Sequence, residues 1–249
     1  MSKSEELFSL AGKIVLVTGA GRGNGMAIAN ALASVGAEVW GIDKAFSFIS
    51  DGKFRQIVGD ITDAELIHSV AVELETQDMD LVLINNAGVT YSSSGHYPLE
   101  KWELTLKVNL TGPFMWIEAI APLMSKRRTG SIINITSLGA ERGFPDNPAY
   151  IASKGGLKML TKAYAKTLGS FNVRANNLGP GYIVSDMTRL SYNDPKLYEA
   201  RRQQTLLGRW GESADLIGAC IFLASDASAY VTGQDLYVDG GWTANGLVT

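Results

Sequence analysis

The chain has 249 residues, 46% of them hydrophobic and 19% charged, with a formal net charge of −3. This composition suits a compact globular protein of one large domain or two small ones, and it is too apolar for a disordered chain. The only basic run is the short Lys126-Arg127-Arg128, which reads as a solvated helix end, so nucleic-acid and membrane-surface partners are disfavoured.

The single cysteine, Cys220, rules out an intramolecular disulfide and a cysteine-based zinc site. The two histidines, His68 and His96, lie far apart in sequence, and nothing marks a metal site. Residues 1–10 are polar and lack an apolar signal core, and no stretch approaches the roughly 20 apolar residues of a membrane span. The expectation is a cytoplasmic protein.

In chain order, the first continuous apolar run is Ile14-Val15-Leu16-Val17, the pattern of a strand buried on both faces. Directly after it comes Thr18-Gly19-Ala20-Gly21-Arg22-Gly23-Asn24-Gly25, leading into a predicted helix over 25–35. Glycines permit the tight turn and let the backbone approach a pyrophosphate. The helix N-terminus presents free N–H groups and partial positive charge to that anion. Gly19, Arg22, Gly23, Asn24 and Gly25 therefore form a candidate phosphate cradle. Its spacing is T-G-x-x-x-G-x-G; the commoner G-x-G-x-x-G would need glycine at position 24, where Asn24 stands.

The second apolar run, Val39-Trp40-Gly41-Ile42, closes on Asp43, 18 residues beyond Gly25. A carboxylate there can accept hydrogen bonds from an adenosine ribose and repels a 2′-phosphate, which favours NAD. Arg22 and Lys44 keep NADP open, since either can partner that phosphate. The plain alternative for Asp43 is a solvated strand end.

Further helices are predicted over 63–75, 99–126, 150–169 and 214–223, with Pro113 and Pro122 as candidate breaks in the second of these. Leu81-Val82-Leu83-Ile84 and Ile132-Ile133-Asn134-Ile135 continue the strand series, followed by late strands over 173–178 and 234–238. Strands alternating with helices imply an α/β fold: a single-domain, Rossmann-type, doubly wound parallel sheet with helices on both faces. No linker or repeat divides the chain, so one domain is expected over 1–249. Residues 185–208 interrupt the rhythm with long polar side chains and read as a substrate lid or, more plainly, a surface helical hairpin.

Tyr150 and Lys154 are four residues apart in a helical stretch and share one face. A phenol titrates near 10, but an ammonium beside it favours the phenolate, so the pair makes an acid–base unit. Taken alone, this spacing often arises by chance. Ser137, just past the 132–135 strand, can hydrogen-bond a substrate oxygen; its plain alternative is a turn cap. Asn109, a poor helix former inside the long predicted helix, can hold a water in a proton path or simply bond nearby backbone.

These residues, in order, resemble the short-chain dehydrogenase/reductase family. The motifs are Thr18-Gly-x-x-x-Gly-x-Gly25, Asp60, Asn85-Asn86-Ala87-Gly88, Asn109, Ser137, Tyr150-x-x-x-Lys154 and Pro180-Gly181, and the likeness runs from Gly12 to Gly241. The chain is similar to 3-oxoacyl thioester reductase-like and polyol- or sugar-dehydrogenase-like members. The resemblance implies that Asp60 and Ile61 sit at the adenine, and that Asn86, Ala87 and Gly88 line the adenosine-ribose side. Pro180, Gly181 and Ile183 would pack on the nicotinamide, with Ser185 near its carboxamide, where the family often has threonine. Lys154 would bind the nicotinamide ribose, and Asn109 would complete an Asn–Ser–Tyr–Lys relay. A homotetramer or homodimer is also implied.

The expected activity is hydride transfer between NAD(H), with NADP possible, and a secondary alcohol or ketone. Ser137, Asn147, Tyr150 and Tyr182 are the candidate substrate contacts, and their chemistry favours a small polar ketone, polyol or sugar derivative. The main alternative is an NADP(H)-dependent 3-oxoacyl thioester reductase. From another class, a non-catalytic NAD(H)-sensing regulator would be expected to lose part of the relay, which is intact here. A sugar-nucleotide epimerase would want T-G-x-x-G-x-x-G, but position 22 is arginine.

Overall fold

The computed structural model describes residues 2–47 and 54–246. A short helix α1 (Lys3–Phe8) precedes strand β1 (Lys13–Thr18), helix α2 (Gly23–Ser34), strands β2 (Glu38–Asp43) and β3 (Arg55–Val58), helix α3 (Ala64–Glu75) and strand β4 (Asp80–Asn85). Helices α4 (Leu99–Leu106) and α5 (Gly112–Arg127), strand β5 (Gly130–Ile135) and helix α6 (Pro148–Leu168) come next. Strand β6 (Val173–Pro180), helices α7 (Arg189–Asn193), α8 (Pro195–Gln204) and α9 (Ser213–Ala224), and strand β7 (Asp235–Val238) complete the order.

The strands form one parallel sheet in the order β3-β2-β1-β4-β5-β6-β7. Side chains alternate between faces along each strand. Ile14, Leu16, Leu81 and Leu83 pack toward α3, α5 and α6. Val15, Val17, Val82 and Ile84 pack toward α2 and α9. Both faces are covered, which is why the strands read as unbroken apolar runs. No helix among the described residues is long and apolar enough to cross a membrane.

Three elements differ from the expectation, the first being α1, a short helix with no buried residue that the apolar pattern does not predict. Strand β3, Arg55-Gln56-Ile57-Val58, is not among the strands that the apolar runs predict; it is an edge strand with no fully buried residue, so it carries no such run. The long helix over 99–126 does not end at either proline. A π-helical turn at Lys107–Thr111 lies between α4 and α5, while Pro122 sits inside α5. Pro113 has no N–H, so the Asn109 carbonyl four residues earlier lacks its α-helical donor, and the Gly112 N–H reaches back to Lys107 instead. The physical effect of this proline is a widened turn rather than a break.

A ladder of buried amides crosses the sheet. Asn85 donates to Asn134 Oδ1 at 2.8 Å, and Asn134 donates to Thr161 Oγ1 at 2.8 Å. Thr161 lies 2.5 Å from Asn177 Oδ1, and Asn177 donates to Asp235 at 2.7 Å. This ladder gives the buried Asn177 of β6 its partners.

Candidate active site

The strand order reverses between β1 and β4, so the crevice at their carboxyl ends is the place where such sheets take ligands. Thr18 and Asn85 are paired there, and Asn86 braces the rim by donating to the carbonyls of Thr18 (3.0 Å) and Gly19 (3.1 Å). The Ala87 N–H donates to the Thr18 hydroxyl at 3.2 Å. Asn86 and Ala87 thus hold the two central strands together at the crevice.

The glycine-rich turn fits a phosphate group. A Cβ on Gly19 would stand 2.8 Å from Ala87 Cα, and one on Gly25 only 2.0 Å from the Gly19 carbonyl oxygen. Neither position tolerates a side chain, because the turn folds against itself and the rim. Gly23, at φ +55°, faces open space at the start of α2, where the first-turn N–H groups of Gly23, Asn24 and Gly25 have no intrahelical acceptor. Asn24 is steadied by Ser213, whose hydroxyl donates to it at 2.7 Å.

Asp43 Oδ2 accepts the Gly21 N–H at 2.8 Å, so this carboxylate at the end of β2 shapes the turn. Lys44 pairs with Asp60 at 2.9 Å, and Arg22 lies 3.8 Å from Asp186. Asp60 also accepts the Thr62 N–H and hydroxyl, each at 2.9 Å. Against the penalty of burial, Lys44 and Thr62 hold its carboxyl down at about 2. Ile61 is buried, and its carbonyl accepts the Trp116 indole N–H at 3.0 Å.

Ser137, Tyr150 and Lys154 meet beyond the carboxyl end of β5. Ser137 accepts the Gly139 N–H at 3.1 Å, so it caps a short turn and also stands beside the Tyr150 phenol. Tyr150 lies in the first turn of α6, which opens on Pro148 at its favoured position. Lys154 is buried and donates to the Ile135 carbonyl at 2.7 Å, while its Nζ stands 5.8 Å from the Tyr150 ring centroid.

The titration differs from the expectation. Burial pushes the Tyr150 phenol up; the Ser137 hydroxyl opposes this, and the neighbouring Tyr182 adds to it. Lys154 is not among these influences: its ammonium donates to the Ile135 carbonyl, and burial pushes it down to about 8.

Asn109 is buried at the π-turn, and its amide is fully used. Its Oδ1 accepts the Val89 N–H at 2.8 Å, and its Nδ2 donates to the Val89 carbonyl at 2.9 Å and to Ser153 at 3.1 Å. A Cβ on Gly88 would stand 3.5 Å from Asn109 Oδ1 and 3.7 Å from Lys154 Nζ, so both side chains approach the same point beside Gly88.

The family described as Enoyl-(Acyl carrier protein) reductase has a model that matches residues 19–243. A 2-dehydro-3-deoxy-D-gluconate 5-dehydrogenase from Bacillus subtilis is 38% identical, covering 97% of this chain and 99% of its own length. The chain belongs to the short-chain dehydrogenase/reductase family. It is an oxidoreductase. A 3-oxoacyl-(acyl-carrier-protein) reductase from Staphylococcus epidermidis is 36% identical over 92% of this chain and 98% of its own. The solved gluconate 5-dehydrogenase from Burkholderia cenocepacia, in complex with NADP and tartrate, superposes with a TM-score of 0.89 at 33% identity, covering 97% of this chain and 99% of that one.

In this short-chain dehydrogenase, the far wall of the crevice comes from β6 and the segment after it. The Gly181 N–H donates to the Val238 carbonyl at 2.9 Å, a Cβ there would stand 2.6 Å from Asp239 Cα, and Ile183 forms a bridge to Gly211. The Ser185 and Thr188 hydroxyls are 3.2 Å apart. Asn147, immediately before α6, donates to Thr90 Oγ1 at 2.6 Å. Tyr182 lies among Phe144 (6.3 Å between ring centroids), Trp210 (5.4 Å) and Trp242 (6.3 Å). Residues 185–208 form the two short helices α7 and α8.

Several supporting residues carry no motif of their own. Ser153, a position that no motif specifies, holds Asn109. Trp242 is set in the wall by Gly240 and Gly241 at φ +65° and +83°, whose turn is tied by Asp239. The Asp-Gly-Gly after the last strand is the available sequence signal for that turn.

Proposed function

We propose that this short-chain dehydrogenase moves a hydride between a nicotinamide dinucleotide and a secondary alcohol, or the matching ketone, on a small polar ketone, polyol or sugar derivative. The observation that carries the reading is the meeting of Ser137, Tyr150 and Lys154 beside the crevice that the glycine-rich turn borders. The bound nicotinamide supplies a carbon that accepts or returns the hydride. Ser137 and Tyr150 hold the substrate oxygen, and Tyr150 takes its proton in oxidation and returns it in reduction. Lys154 fixes the cofactor's ribose side. Asn109, whose carbonyl lacks its helical donor, holds the proton path behind Lys154.

The remaining roles belong to the same reading. Gly19, Gly23, Asn24 and Gly25 cradle the pyrophosphate, with Arg22 at its edge. Asp60 and Ile61 meet the adenine, and Gly88 the ribose. Pro180, Gly181, Ile183 and Ser185 meet the nicotinamide. Asn147 and Tyr182 contact substrate, and 185–208 closes over it as a lid. Asp43 has no cationic partner among the described residues, whereas Lys44 and Arg22 each face a carboxylate. That favours NAD, although three solved relatives are described with NADP. The 3-oxoacyl thioester reductase remains the alternative within the family, and a relative of that name supports it. A cytoplasmic homotetramer or homodimer belongs to the same reading.

The test is a panel of polyols, hydroxy acids and ketones, run with both cofactors while the absorbance of the reduced nicotinamide is followed. Tyr150→Phe is expected to lose turnover by about 1000-fold while still binding cofactor. Near-normal turnover by that variant would remove the role given to the phenol.

A further inference from the structure

The lid segment and the turn after it carry four arginines, and three of them face carboxylates. Arg189 pairs with Asp186, Arg202 with Glu199 at 2.7 Å and Arg209 with Asp215 at 2.7 Å. Arg201, on α8, is half-buried and has no carboxylate partner among the described residues. Its guanidinium instead lies 4.5 Å from the Tyr182 ring centroid and 5.7 Å from that of Trp210.

Stacking covers a face of the guanidinium, one N–H group reaches the Tyr182 side chain, and the remaining in-plane N–H groups are left to bond. Tyr182 in turn lies close enough to Tyr150 to affect its phenol, and its partner Phe144 packs by Gly139, whose built Cβ is 3.4 Å from the Tyr150 ring. A cation without a matching anion therefore stands one aromatic ring away from the catalytic phenol. The Asn147 Oδ1, just before α6, is buried without a hydrogen-bond partner among the described residues, an acceptor suited to a substrate hydroxyl.

We propose that Arg201 is a specificity-determining residue that receives the carboxylate of a polyhydroxy acid, so that this enzyme acts on sugar acids in preference to neutral polyols or thioesters. The inference rests on the hydride-transfer reading above. A guanidinium matches a carboxylate with two parallel hydrogen bonds, and the rings of Tyr182 and Trp210 hold it in place for them. A neutral alcohol end cannot make that contact and leaves the cation uncompensated.

The experiment compares aldonates with the alditols that match them carbon for carbon, including D-gluconate against D-glucitol, in the wild type, Arg201→Gln and Arg201→Lys. The wild type is expected to prefer the acids in kcat/KM. Arg201→Gln is expected to lower the acid-to-neutral ratio by about 10- to 100-fold, mostly through KM. Arg201→Lys keeps the charge but loses the planar fork, and its ratio should lie between the other two.

A wild type that turns over alditols as well as aldonates overturns the inference, and this holds even if a variant fails to fold. An Arg201→Gln ratio equal to wild type overturns it too and assigns the arginine to fastening the lid. In both cases the hydride-transfer reading stands. A protein that oxidises no alcohol with either cofactor overturns that reading itself.

Discussion

Tyr150 meets three influences that differ in sign: burial and the neighbouring Tyr182 keep its phenol protonated, while Ser137 favours the phenolate. Burial is the largest, so near neutrality the group stands ready as an acid, the form that reduction needs. Oxidation needs the phenolate, whose fraction rises tenfold per pH unit below the phenol's pKa. Lys154, held at about 8, loses its ammonium charge as the pH passes that value. The expected result is that kcat/KM for oxidation climbs from about pH 6 to about pH 9, whereas that for reduction is level near neutrality and declines on the alkaline side. Profiles measured in both directions check this, and an oxidation profile flat across that range contradicts it. The Tyr-x-x-x-Lys spacing makes the pair legible in the sequence. The sign of the pKa shift is not legible there, since it depends on how deeply the phenol is buried and on Ser137 and Tyr182 standing beside it.

At the scale of elements, the apolar strands and most helix positions can be read from residue patterning, because a strand covered on both faces has to be apolar throughout. The edge strand β3 escapes notice for the same reason, since its exposed face requires no such run. The amide ladder across β4, β5, β6 and α6 has no sequence signal of its own: Asn85, Asn134, Thr161 and Asn177 are scattered and meet only in the folded sheet. Asn134 is fully buried, and truncating it leaves the Asn85 amide without its acceptor. Asn134→Ala is expected to lower stability by about 2–3 kcal/mol, read by denaturant or thermal unfolding. A loss below a few tenths would mean that the ladder contributes little.

For the whole molecule, the exposed apolar side chains are informative. Leu99 (65% exposed), Leu104 (38%) and Phe114 (44%) lie along α4 and α5, and Met159 (61%) lies on α6. Such residues on neighbouring long helices suit a surface covered by a second copy. Light scattering on the purified protein is expected to give a dimer or tetramer, and a monomer at micromolar concentration would refute it.

The sequence by itself determined the fold class, the glycine turn that borders the crevice and the spacing that puts Tyr150 and Lys154 on one helix face, because each depends on local periodicity or on a short spacing within one element. The tertiary structure alone decided which groups face one another. It turned Pro113 into a widened turn around Asn109, tied Lys44 to Asp60 and Lys154 to Ile135, and left Arg201 stacked on Tyr182 without a carboxylate among the described residues. The physical reason is that electrostatics and desolvation act through space, between residues whose separation along the chain carries no record of their meeting.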